Sequence, residues 1–504
     1  MKIAVSVGET GEISFKDLPG KASPWDVRWY CLLSGNHEEI RVPGFYNGEA
    51  QVCRFSLPAA GNWTFKAFMD SEKEAFAEGT IQCSEGEDLL KGGLRINPAN
   101  RKRFTLGDDD SVFVMSYEAN WLWALETSDP GSGRIDAFLK LIKSYGFNSV
   151  LMNAYAYDTT WAAGNTSPFD FGPPGIYPWA GSNEEPDFSQ FNPEFWNRFD
   201  TVVEAFQKNG ILLHLYFKVF NKMVNWPEQG SAQEKEYFRY VTARYQAYSC
   251  MIWDFSKESY YEQNEDRVTE LMTLVKETDG YGRLRTVHDY PSYYRKEVAY
   301  DLLDFITVQQ HHNFHGSVLL EHKDHDWPYL NAEFGYECGG GGVTDVTYGY
   351  GQTPQTLVER AWEVSMSGGY PAYYYTNTAW DIIHETEIPQ GYQFFRILAD
   401  FFKKHNFSRF RPFQDHCLWR STFCMIKGSS PRPDELLMYV DEHILVPPAL
   451  SFEDYEGTWL NIYSGEERKV EKKYVPVCVD REEYSIYKIP FTAPKAVLHL
   501  KRRK

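Results

Sequence analysis

Between residues 111 and 404 the chain repeats one pattern: a short run of β-forming residues, a longer segment, then another β run. The β runs fall at 111–117, 147–153, 211–217, 250–255, 284–288, 304–310, 328–333 and 370–376. Helical segments lie at 133–146, 192–210, 231–247, 264–277, 293–301, 354–367 and 389–404, with apolar residues at helical spacing. The segment 192–210 is punctuated at both ends. Asn192 stands at the N-cap, Pro193 at the first helical position and Gly210 just past the last turn. Parallel strands cannot be joined by a hairpin; they need a crossover, usually a helix. Eight such units in about 300 residues predict an α/β fold closed into a (β/α)8 TIM barrel. An open doubly wound sheet normally has a Gly-rich phosphate loop after its first strand. None follows residue 117.

The flanks have a different rhythm. Residues 1–88 hold short β runs at 27–33, 38–45, 50–57 and 61–69, separated by Gly, Pro and Asn. This spacing predicts an N-terminal immunoglobulin-like β-sandwich. Residues 406–504 return to β runs ("CLWRSTFCMIK", "ELLMYV", "TWLNIYS", "KAVLHLK") and predict a second, C-terminal β-sandwich. The expected domains are therefore 1–88, 89–405 and 406–504.

Charge and composition exclude several functions. A net charge of −19 repels phosphate backbones, so nucleic acid is not a partner. No run approaches the ~18 apolar residues of a membrane helix, so no membrane partner is expected. The start, MKIAVSVGETGEISF, has no long apolar stretch of the kind that drives secretion, and the eight cysteines include no CxxC pair. Both features fit reduced thiols and a cytoplasmic location, or a secreted protein whose leader has been removed. Nothing in the sequence sets an oligomeric state. Aromatic residues reach 16%, with 15 Trp and 34 Tyr, enough to pack a core and also to stack on sugar rings.

In a barrel of this kind the chemistry lies at the C-terminal ends of the strands. The fourth run leads into Ser256-Lys257-Glu258-Ser259, and the seventh, "YLNAE", ends on Glu333. A carboxylate at the end of a buried strand is costly to desolvate unless it is paired or faces an open mouth. Two carboxylates facing each other across a barrel mouth suit retaining glycoside hydrolysis. One attacks the anomeric carbon while the other protonates the leaving oxygen, and the two stand about 5–5.5 Å apart. Around them the strand ends supply Asn153, His288, His311 and Trp380, with Tyr336 just beyond Glu333. His288 and His311 are candidates to contact a sugar or orient a glutamate, Trp380 to stack on a ring, and the Tyr336 hydroxyl to steady the nucleophile. Lys218 and Lys257 raise the prospect of an acidic sugar. The long loop 154–191 brings Trp161, Phe169, Tyr177 and Trp179, either to wall a subsite or to pack the loop onto the rim.

Several phrases resemble the apiosidase-like (β/α)8 glycoside hydrolases of the glutamate-pair retaining clan. They are "DFSQFNPEFWNRFDTVV", "YFRYVTARYQAYSCMIWDFSKES", "LRTVH", "PYLNAEFGYE" and "YYYTNTAWD", with "PGFYNGE" and "LPAAGNWTF" in the preceding sandwich. The resemblance spans essentially the whole chain. It implies Glu258 as acid/base, Glu333 as nucleophile, an oligosaccharide substrate and no cofactor. One position departs from the clan: the residue before the acid/base is Lys257, where the clan has an Asn that hydrogen-bonds the sugar 2-hydroxyl. Lys257 either replaces that contact, binds an acidic substituent or points away, and Asn153 is an alternative source of the contact.

Three rival assignments remain open at this level. Glu337 replaces Glu333 if the strand register is shifted. The barrel binds carbohydrate without cleaving it. Or "QQHHNFH" (309–315) supplies a metal for assisted hydrolysis, although adjacent histidines on a strand point to opposite faces.

Overall fold

A computed structural model describes residues 1–16, 18, 23–158, 168–220, 222–262, 264–289, 302–339, 351–413, 423–446, 454–471, 476–479 and 482–503. Its centre is an all-parallel barrel. The strands are β1 (Ser116–Glu118), β2 (Ser149–Asn153), β3 (Leu212–Val219), β4 (Met251–Lys257), β5 (Arg285–Thr286 and His288–Asp289), β6 (Ile306–Val308), β7 (Tyr329–Asn331) and β8 (Tyr370–Tyr374). Pairing runs in order around the ring, and β8 pairs with β1 to close it. Val287 interrupts β5: its first half pairs with β4 and its second with β6. Every residue of β2, β3, β4 and β8 is buried, which is why these strands read as nearly continuous apolar runs rather than alternating ones.

The helices run outside this ring: α1 (Arg134–Ser144), α2 (Pro193–Asn209), α3 (Ala232–Tyr245), α4 (Glu265–Thr278), α5 (Phe314–Asp324), α6 (Pro354–Met366) and α7 (Gly391–His405). The punctuation of α2 is as the sequence predicts. The Asn192 side chain accepts from the Glu194 N–H at 3.0 Å, and Gly210 takes φ 60°. Such a cap contributes about 1 kcal/mol. The helix expected at 293–301 lies outside the described residues. Helix α5 is not predicted from the sequence, because its pattern is inverted: Leu320 is 61% exposed while Ser317, Glu321 and His322 are buried.

The N-terminal segment forms a five-stranded sheet facing a three-stranded one. Its own core is built on Trp29, Leu33, Trp63 and Phe65. Three of its strands, Lys2–Ser6, Thr10–Phe15 and Ala77–Ser84, add to the four runs legible in the sequence. The strand Gln51–Ser56 works on both sides: Cys53 and Phe55 enter the sandwich core, and Val52 packs with the barrel. Arg54 completes that contact. Its guanidinium meets Asp200 of α2 at 2.9 Å, and Asp200 is also held by Arg244 of α3 at 2.7 Å. Burial pushes the Asp200 carboxyl up, but Arg244 and Arg54 outweigh it and hold it below the usual range.

At the other end, a six-stranded sheet and a three-stranded sheet follow the barrel. The strand Glu435–Asp441 shows how they are joined. Leu437 and Tyr439 belong to the barrel's core, while Leu436, Met438 and Val440 face a separate core with Trp459. Trp362 of α6 stacks on Tyr439 at 6.3 Å. Both faces of this strand are covered, so its sequence shows no alternation.

Candidate active site

The C-terminal ends of the strands gather a compact charged cluster. Glu118 ends β1, Lys257 ends β4, Glu258 follows it, and Glu333 lies two residues past β7. All four are buried: Glu118 is fully inaccessible, and Glu333 is 3% exposed. Lys257 does not point away. Its ammonium sits between two carboxylates, donating to Glu118 Oε1 and, at 2.9 Å, to Glu333 Oε2. The other Glu333 oxygen, Oε1, accepts from the Tyr336 hydroxyl. Each oxygen of Glu333 thus has its own donor, and the carboxylate is fixed in both position and rotation.

One ammonium shared by two buried carboxylates leaves an excess negative charge, and the titration of the group reflects it. Burial pulls the Lys257 ammonium down, but Glu118 and Glu333 outweigh it and hold it well above the usual lysine range. Burial pushes the Glu118 carboxyl up against the pull of Lys257, and the Glu333 charge adds to the rise. The surplus charge is relieved at Glu118. Tyr374 lies within the field of Glu118, Lys257, Glu333 and Glu258 together, and burial pushes its phenol up first of all. Lys257 Nζ stands 5.6 Å from the Tyr374 ring centre.

Glu258 has φ 57° and ψ 45°, a left-handed conformation that costs a non-glycine residue about 1 kcal/mol or more. His288 holds the backbone there: its Nδ1 accepts from the Glu258 N–H at 3.2 Å, and the Ser259 hydroxyl donates to the His288 carbonyl. An Nδ1 that accepts must be unprotonated. Burial, with Lys257 adding to it, pushes His288 well below the usual histidine range. His288 therefore acts as a neutral support beneath Glu258. Deeper in the barrel, His214 Nε2 and Asp254 Oδ2 meet at 2.7 Å, and Asp254 Oδ1 accepts from the His288 N–H at 3.0 Å.

The remaining predicted residues lie around this cluster. Asn153 ends β2 with its side-chain oxygen buried and without a hydrogen-bond donor among the described residues. Trp380 is half-buried and packs edge-on against Tyr336 at 5.6 Å and Tyr374 at 5.8 Å, beside the nucleophile candidate. His311 is half-buried, with its Nε2 3.2 Å from Gln309 Nε2. Burial lowers its pKa and the Glu333 charge opposes that, so the two residues share one field.

Several expectations are corrected. Glu337 lies outside the Lys257 cluster. It accepts from the Tyr373 hydroxyl at 2.7 Å and from the Gly391 N–H at 3.0 Å, tying the start of α7 to the barrel. Lys218 is buried against Glu234 at 2.8 Å, and Lys257 is held as described, so neither ammonium is open to an acidic sugar. Tyr177 and Trp179 are buried, and Phe169 stacks on His384 at 4.1 Å. Trp161 lies outside the described residues. Among the described residues, the histidines of "QQHHNFH" belong to no group of three ligand-type side chains close enough to share an ion. Among the described residues, the group of three that lies close enough to share an ion is His405, Glu435 and His499. That group sits at the C-terminal end of α7, on the barrel face opposite the mouth, and Glu435 is already paired with Lys427 at 2.6 Å.

Glu118 is the residue that sequence reasoning misses. It carries the same signal as Glu333, a carboxylate ending a β run, but the expected first strand stops at Tyr117 and the paired one runs to Glu118.

Fold and site together define a barrel of the glycoside hydrolase type. The chain belongs to the apiosidase-like family: the model of its catalytic domain matches residues 99–396. Among solved structures, a candidate glycoside hydrolase from Bacteroides vulgatus ATCC 8482 superposes with a TM-score of 0.79 at 17% identity, covering 99% of this chain and 100% of that one. A family 5 glycoside hydrolase from the same strain gives 0.58 at 13% identity, covering 83% and 95%. No curated protein matches the chain. No described helix is long and apolar enough to cross a membrane.

Proposed function

We propose that the protein is a retaining glycoside hydrolase that cleaves a β-glycosidic bond in a plant or algal oligosaccharide, with Glu333 as nucleophile and Glu258 as acid/base. The observation that carries this reading is the double hold on Glu333. Tyr336 fixes one oxygen and Lys257 the other, in buried surroundings at the strand end where this fold carries its chemistry. Membership of the apiosidase-like family supports glycosidic substrates.

In the first step an oxygen of Glu333 bonds to the anomeric carbon as the glycosidic C–O bond breaks, and Glu258 gives its proton to the departing oxygen. In the second, Glu258 takes a proton from water, the water attacks the same carbon, and Glu333 leaves as a carboxylate. Lys257 and Tyr336 stay aimed at Glu333 throughout and receive its returning charge. The substrate sugar is neutral at the cleavage site. Lys218, Lys222 and Lys257 are each paired with a carboxylate, and an acidic sugar would add another anion beside Glu118, Glu258 and Glu333.

A panel of chromogenic glycosides, run with wild type, Glu258→Ala and Glu333→Ala and with added chelator, tests the proposal. Turnover that both variants lose and the chelator spares is expected. Full activity in Glu333→Ala would remove the proposed nucleophile, and loss of activity with chelator would favour metal-assisted hydrolysis. Glycan binding without any turnover would make the barrel a carbohydrate-binding module.

A further inference from the structure

The proposed mechanism uses Glu333 and Glu258 but gives no role to Glu118, a third carboxylate that is fully buried and aimed at the same ammonium. A buried salt bridge needs one partner of each sign. Here one ammonium serves two carboxyl groups, and burying the second is costly in the resting site, so its presence points to use in another state. That other state follows from the chemistry. While Glu333 is bonded to the sugar it is a neutral ester, and Lys257 has lost one of its two counter-ions.

We propose that Glu118 is a positioning residue: the reserve counter-ion that keeps Lys257 charged and aimed at Glu333 while Glu333 is esterified. This rests on the reading of Glu333 as nucleophile. In the resting enzyme Lys257 pairs with Glu333. When the bond from Glu333 to the anomeric carbon forms, the negative charge on Glu333 disappears and Lys257 pairs with Glu118 instead. Glu118 releases the proton that its burial favours to water, and takes one back when hydrolysis restores the Glu333 carboxylate. The Lys257–carboxylate pair is therefore neutral in both states, and the ammonium, 4% exposed, never stands alone. The lysine at this position, which departs from the clan, and the glutamate at the end of β1 form one device.

Two measurements on the full chain test it. The first needs no substrate. Glu333→Gln mimics the neutral ester, so the thermal midpoints of Glu118→Gln, Glu333→Gln and the double variant form a cycle. Each single variant leaves Lys257 one carboxylate, and a small shift is expected. The double variant leaves none, and a loss larger than the sum of the two is expected. Failure of the double variant to fold while both singles fold is the same result in its extreme form. Additive losses would overturn the pairing.

The second measurement follows labelling by 2-deoxy-2-fluoro glycosyl fluorides of gluco, galacto and xylo configuration. In Glu118→Gln the esterified state contains a lone buried ammonium. Glu333 should then gain the label at least about tenfold more slowly than wild type and lose it at least about tenfold faster. A merely structural role would slow both steps, and that result, or no change in either, would overturn the assignment. Glu118→Asp restores the charge and should recover part of the label's lifetime. The two readings fail separately. Labelling of Glu333 with an additive cycle removes only the counter-ion. A non-additive cycle with no label on Glu333 removes the nucleophile, and with it the catalytic role of the pair.

Discussion

Replacing Lys257 with methionine keeps much of its length and removes its charge, and the structure sets the size of the effect. Lys257 Nζ lies 2.9 Å from Glu333 Oε2, with the side chains 5% and 4% exposed, so solvent screens the contact little. At an effective dielectric of about 20, one such contact is worth about 6 kcal/mol before desolvation. Removing one partner of a buried pair costs about 3–5 kcal/mol in net terms, because the stranded charge stays buried. With Glu118 protonated in the resting site, Lys257→Met strands the Glu333 carboxylate, and a loss within that range is expected at pH 8. The loss must also depend on pH. A buried carboxyl without a cation takes up a proton more readily folded than unfolded, where its pKa is about 4.3. A raised folded value adds stability that is complete below the unfolded pKa and is lost as pH rises through the folded one. The deficit of Lys257→Met should therefore be small near pH 5 and grow towards pH 8. Urea unfolding of wild type and variant at both pH values, followed by tryptophan fluorescence, measures it. A deficit under about 1 kcal/mol at pH 8, or one that does not change with pH, would show that the ammonium does not bind these carboxylates as described.

Tyr336→Phe removes a hydrogen bond to a charged oxygen of Glu333; a fall of about 10- to 100-fold in kcat/KM on an active glycoside is expected, with a lower melting temperature, because such a bond contributes about 1.5–3 kcal/mol. Trp362→Ala empties a fully buried site between α6, α7 and the C-terminal sheet, and calorimetry should show a loss of about 3–5 kcal/mol. Arg54→Met leaves Asp200 paired with Arg244 alone and should destabilise the protein by about 1.5–3 kcal/mol at pH 7, the worth of a hydrogen bond to a charged group. Asp200 is held below its ordinary range, so this stability is present above the unfolded pKa and is lost as pH falls through the folded one. The gap between wild type and variant should close in acid denaturation below about pH 4.

The barrel was legible because its signals are local. Helical spacing, the Asn192 cap with Pro193 and Gly210, and continuous apolar strands each record a nearby physical demand, and eight repeats of the pattern point to one architecture. Glu333 was legible for the same reason, since a carboxylate ending an apolar run is an anomaly that asks for an explanation. Glu118 offered the same anomaly, hidden by a strand that pairs later than its β-forming run suggests. Helix α5 was hidden because it turns Leu320 outward and buries Glu321 and His322. What could not be read was pairing over long distances. Nothing near Lys257 in sequence points to residues 118 and 333, and nothing near Arg54 points to Asp200. Only closure of the barrel and docking of the sandwich bring these charges together.

In the proposed mechanism Glu333 carries the sugar between the two steps. Incubation of the wild-type protein with a fluorosugar that inactivates it, followed by proteolysis and mass spectrometry, locates the bound glycosyl group. A single adduct is expected, on the peptide holding Glu333 and on that side chain. An adduct on Glu258 or Glu337, or a substrate hydrolysed with inversion at the anomeric carbon, would contradict it.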